Sequence, residues 1–164
     1  MAKGMKYLAL AVMFIGVVAV VLGGVFIGLA FDKKDLLQDE MRAERVTYLL
    51  PEEEVAKGNV IDTADEANDV ADTVREHRRA IAPTYGDLLG DGRYDPTNPD
   101  HLSYNQAMNM ENYLYLAVMG FGVVDLALGT GIALLVIGLG IAIAGVVLFL
   151  MSRRMSLQTV VTST

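Results

Sequence analysis

The chain has 164 residues, no Cys, no Trp and a net charge of −7. Without Cys it has no disulfide, no thiolate metal site, no Cys nucleophile and no lipidated Cys anchor. The acidic balance excludes the basic footprint that nucleic acid requires. Hydrophobic residues make up 53% of the chain and gather in two runs. What remains between them is near the lower size limit for a self-sufficient core.

Residues 1–6 are short and basic, with Lys3 and Lys6. Tyr7–Phe31 follows without a formal charge. About 20 helical residues cross the hydrocarbon of a bilayer, so this run reads as a transmembrane helix. Gly28-Leu29-Ala30 would pass as a small-x-small cleavage site. The apolar region of a signal peptide is only about 7–15 residues long, however, so the run is expected to be kept as an anchor. Ala9, Gly16, Gly23 and Ala30 recur every seventh residue, and Gly24 with Gly28 forms a GxxxG on an adjoining face. Lipid supplies no hydrophobic drive between helices, so such small residues mark faces for close packing.

Residues 32–112 form an acidic segment, with nine Lys and Arg against nineteen Asp and Glu, a net −10. Its first part, residues 32–45, should prolong the first helix, with Asp35/Asp39, Glu40/Glu44 and Arg42/Arg45 placed for pairing at helical spacing. Val46–Leu50 reads as a short extended piece and Glu52–Glu54 as a solvated loop. Thr63-Ala64-Asp65-Glu66 is a capping box opening a helix to about Ala80. Its early acids and its late Arg75, Arg78 and Arg79 match the helix dipole. Residues 84–102 are punctuated by Gly86, Gly90, Gly92, Pro96 and Pro99 and read as successive turns. Ser103–Gln106 is a second capping box.

From Tyr113 to Met151 the chain is apolar for 39 residues, with Asp125 as the one formal charge. One helix is expected from about Tyr104 to Met151, its membrane crossing at about 127–151, counted back from Arg153. The outer half should stand clear of the membrane and pack against the helix leaving the first span. Gly131, Gly138 and Gly145 repeat the seven-residue stride, flanked by Ala127 and Ala142. Gly122, Gly129, Ala133, Gly140 and Ala144 fall on a second face, so one face is free for a neighbouring chain. A break at Gly129-Thr130-Gly131 would instead give three crossings, but the preceding segment is short for a span. Lys and Arg at both ends predict cytoplasmic termini, residues 152–164 included, with residues 32–112 outside.

Candidate chemistry is sparse. Asp87, Asp91 and Asp95, with Gly92, resemble part of a calcium loop. Leu89 and Asn98, however, stand where that loop needs an oxygen ligand and a bidentate Glu. His77 and His101 lack further ligands at metal-binding spacing. Asp125 is a candidate for proton or ion conduction if it lies inside the bilayer, and an interfacial group if it does not. Asn105, Asn109 and Asn112, with Tyr104, Met108 and Tyr115, mark either a docking strip or a seam within the chain. There is no nucleophile triad, phosphate loop or dinucleotide fingerprint.

The stretches MRAERVT, ADTVREHRRAIAPTYGDLL, GRYDPTNP and AMNMENYLYLAVMGFGV resemble a family of small bacterial two-span membrane proteins with no assigned activity. The resemblance implies an all-α membrane protein of the plasma membrane, with an acidic helical module and no site residues. Some relatives bear an enzyme label for opening aromatic rings, a chemistry whose metal site this sequence does not offer. The reading is therefore a non-catalytic interaction protein without cofactors. Its partners would be the lipid bilayer, itself or other membrane subunits. The alternatives are conduction at Asp125 and an extracytoplasmic sensor using residues 84–102.

Overall fold

The computed structural model describes residues 2–161, and the side chains of residues 4–154. Every element among them is helical: α1 (Ala2–Glu44), α2 (Glu52–Ala56), α3 (Ala64–Ile81), α4 (Tyr85–Leu89) and α5 (Pro99–Val161). α1 and α5 are each long and apolar enough to cross a membrane. The chain divides into two compact units: residues up to Asp32 with those from Asp125 onward, and Lys33–Val124.

The first unit is an antiparallel pair built from α1 and α5. Ala9, Gly16, Gly23 and Ala30 are buried on one side, and Gly131, Gly138 and Gly145 on the other. A seven-residue stride keeps the same faces together along both helices, as in a coiled coil. Small residues allow the backbones themselves to touch. A Cβ added to Gly23 would lie 2.7 Å from the Gly131 carbonyl oxygen, and one added to Gly138 would lie 2.8 Å from the Val20 nitrogen. At Gly145 it would meet the Met13 nitrogen at 2.6 Å. Lys6 lies over the Phe149 ring at 5.9 Å.

The second unit packs the C-terminal part of α1, helix α3 and the N-terminal part of α5. Ala67, Val70, Ala71 and Val74 of α3 bury with Ile61 and Leu114, and Met41, Met110, Ala117 and Val118 close the cluster. Half of the capping box forms as expected, Thr63 Oγ accepting from the Glu66 N–H at 3.4 Å, while the return bond goes to neighbours of the Thr63 N–H. The Glu66 carboxylate in turn accepts from Thr63 Oγ at 2.8 Å and from the Asp62 N–H at 3.3 Å. The connection from α1 to α3 is tied down by Arg42 donating to Asp62 at 2.6 Å and by the Ile61 N–H on Val46 O at 2.8 Å.

Several local expectations are corrected. Val46–Leu50 is not extended but a turn, with the Leu50 N–H on Thr47 O at 3.1 Å and Leu49 at φ 67°. Glu52–Glu54 opens the short helix α2, where acids suit the positive end of the dipole. One helical turn, α4, interrupts residues 84–102. α5 begins at Pro99 rather than at the second capping box. Asn98 Oδ1 accepts the Asp100 N–H at 2.9 Å, and Pro is preorganised for a first helical position. α5 also runs past Met151 to Val161 and is unbroken through Gly129–Gly131, so the break that would give three crossings does not occur.

Candidate functional site

The positions singled out for chemistry do not converge. Asp87 is taken up by the cap of α4, its N–H donating to the N-cap Thr84 Oγ at 3.1 Å and its carboxylate accepting from that hydroxyl at 2.7 Å. Asp95 accepts from the Thr97 N–H at 2.8 Å and the Thr97 hydroxyl at 2.7 Å. Those two bonds hold its carboxyl below the usual carboxylate range. Asp91 is exposed. Among the described residues no three His, Asp or Glu side chains gather to hold a metal ion.

The two histidines are separated in the same way. His77 Nδ1 shares a hydrogen bond with the Tyr48 hydroxyl at 3.2 Å. His101 Nδ1 accepts the Asp95 N–H at 3.0 Å while its ring stacks on Tyr94. Asp125 is exposed and begins the second leg of the first unit.

One buried polar cluster was not legible from sequence. Arg78 of α3 donates to Glu111 of α5 at 2.7 and 3.4 Å and to the Tyr104 hydroxyl. Its guanidinium carbon also lies 4.8 Å from the centre of the Tyr104 ring. The Arg78 and Glu111 side chains are only 11% and 10% exposed, so the pair is taken out of water as a unit. Hydrogen bonding to Glu111 is the main reason the guanidinium is held above its ordinary value, outweighing its burial.

Three residues back, Arg75 donates to Asp72 at 2.7 Å, and Asp72 accepts from the Tyr115 hydroxyl. Burial, and then that bond, push the Tyr115 phenol up. Tyr104 and Tyr115 therefore belong to a seam within the chain. Asn109 and Asn112 do not: both are exposed. Among the described residues no buried side-chain polar atom lacks a hydrogen-bond partner.

What the two units leave open is surface. Only 11% of the most apolar window in either long helix is buried. In the first unit the Gly131, Gly138 and Gly145 face is used against α1, and Ala142 is half-buried. Cβ atoms added at Gly24, Gly28, Gly129 or Gly140 would meet nothing, and Ala133 and Ala144 are exposed. In the second unit Tyr113, Leu116, Met119 and Val123 are 73, 60, 67 and 66% exposed along α5.

Beside this row runs an apolar groove of about 800 Å³, floored by Leu37, Met41, Ile61, Met110 and Leu114. Glu40 and Glu44 edge it and form no ion pair among the described residues. A polar hollow of about 720 Å³ on the same unit has its Arg42 and Asp62 already paired. The chain matches no family model, no curated protein and no solved structure.

Proposed function

We propose that this is a two-span integral membrane protein whose work is association: a non-catalytic structural or accessory subunit that assembles with itself or with other membrane proteins. One observation carries the reading. The apolar run Tyr113–Met151 measures about 58 Å at 1.5 Å per residue, against about 30 Å of hydrocarbon. With the crossing set at residues 127–151, the exposed row Tyr113, Leu116, Met119 and Val123 falls outside the bilayer core. A contiguous apolar row in that position marks an interaction surface. Within the bilayer, the open small residues Gly129, Ala133, Gly140 and Ala144 supply the close-approach face.

The Lys and Arg bias supports cytoplasmic termini with residues 32–112 outside, and the family resemblance supports a bacterial plasma membrane. Conduction gains no support: Asp125 is the one formally charged residue in the apolar run of α5, and a proton path usually needs more than one such group. Native mass spectrometry of the particle extracted in mild detergent tests the proposal. The expected particle is heavier than one 17.7 kDa chain, and Gly140→Leu reduces its mass while leaving the chain folded. A particle of one chain overturns the reading.

A further inference from the structure

We propose that the groove between the α1 and α5 segments of the second unit is a receptor for a basic amphipathic helix of another protein. The inference rests on the association reading above and names the partner's chemistry. The floor is apolar and holds two methionines, Met41 and Met110, whose unbranched side chains adapt to an incoming surface. The walls come from two helices, as in other sites that take a helix by its apolar face. On α5 the lining extends from Asn109 to Ala117, about 12 Å along the axis, or roughly two turns of a docked helix.

Charge decides between occupants. Glu40 and Glu44 stand one helical turn apart on the α1 wall, both exposed. Arg42 lies between them in sequence but is turned to Asp39 and Asp62, at 3.4 and 2.6 Å. Neither glutamate forms an ion pair among the described residues. A second copy would bring another acidic segment of net −10 against this edge, and like charges facing each other are disfavoured. The same carboxylates repel anionic lipid headgroups. A partner with Lys or Arg flanking an apolar stripe satisfies both the floor and the edge.

The test uses the full chain in mild detergent and two labelled synthetic helices of equal length, one built of Leu and Lys and the other of Leu and Glu. The Leu/Lys helix should bind saturably, and the Leu/Glu helix at least tenfold more weakly. E40K/E44K should weaken Leu/Lys binding at least tenfold. E52K/E53K reverses two exposed carboxylates on α2, away from the groove, and should change binding less than twofold. Equal losses in the two variants would reduce the effect to general charge attraction and overturn the proposal, as would an absence of saturable binding.

A photo-reactive residue in place of Leu116, activated in the native membrane, separates the other occupants. An adduct at twice the chain mass would assign the groove to a second copy, and a lipid adduct to an acyl chain. Either result overturns the basic-helix assignment. The peptide titration reads the isolated chain, so its failure leaves the particle mass unaltered. A single-chain particle, in turn, leaves the titration readable.

Discussion

Replacing Gly138 with Leu is expected to break the α1–α5 pair, at a cost of more than about 3 kcal/mol, the upper end of the range for overpacking a close contact. A Cβ at this position falls 2.8 Å from the Val20 nitrogen and 2.9 Å from the Gly16 carbonyl oxygen. Both are backbone atoms, so no side chain can rotate out of the way; the helices must separate along their length. Separation also undoes the neighbouring contacts at Gly131 and Gly145, because the same stride serves all three. Leu139→Ala is the control. Leu139 is 53% exposed and makes no part of the seam, so its truncation should leave the pair intact. An SDS titration from mild micelles, followed by protease sensitivity of the pair, measures both. Equal midpoints for Gly138→Leu and Leu139→Ala would sink the small-face argument.

Glu111→Ala is expected to cost the second unit about 3 kcal/mol, the lower end for removing one partner of a buried pair, since each side chain keeps about a tenth of its exposure. The loss comes less from the missing attraction than from what is left: a guanidinium between α3 and α5 with only the Tyr104 hydroxyl and ring to face. The double variant Arg78→Met with Glu111→Leu should recover most of the stability, because two apolar groups of similar volume require no desolvated charge. Thermal unfolding followed by circular dichroism on the unaltered chain, Arg78→Met, Glu111→Leu and the double variant gives the coupling directly, with Glu111→Ala measured beside them. A double variant no more stable than Glu111→Ala alone would show that the site tolerates no apolar filling and would contradict the account.

Legibility from sequence followed the range of the interaction. The two apolar runs, the Thr63 cap of α3 and the seven-residue stride of small residues are local patterns, and each appears in the structure at its sequence position. The stride could not say which small residues meet which. Gly24 and Gly28 form a GxxxG and are as small as Gly16 and Gly23 of the stride, yet an added Cβ meets nothing at either. That choice is made by helix rotation, which a motif does not encode. The start of α5 differs from its expected position because two local signals compete within a few residues. Asn98 with Pro99 precedes the box at Ser103, and the earlier cap lets the helix continue through the later one.

The Arg78–Glu111–Tyr104 cluster is hidden in the sequence for a different reason. Its partners lie 33 and 26 residues apart in the chain. Arg78 alone reads as an ordinary cation in the last turns of a helix. The signal available was Glu111 itself, a carboxylate seven residues after Tyr104 and bordering an apolar run. The groove required the structure for the same reason, since its walls come from residues near 40 and near 113.

Membrane crossing by both long helices is the claim on which the rest depends, and the absence of Cys from the chain makes it directly measurable. Three single-cysteine variants, Gly4→Cys near the start of α1, Asn59→Cys between α2 and α3 and Ser163→Cys after the second apolar run, are treated with a membrane-impermeant maleimide in intact cells and again after permeabilisation. The account predicts that Asn59→Cys labels in intact cells and that Gly4→Cys and Ser163→Cys label only once the membrane is opened. Labelling of Gly4→Cys or Ser163→Cys in intact cells, or no labelling of Asn59→Cys there, would contradict a pair of crossings that places residues 32–112 outside.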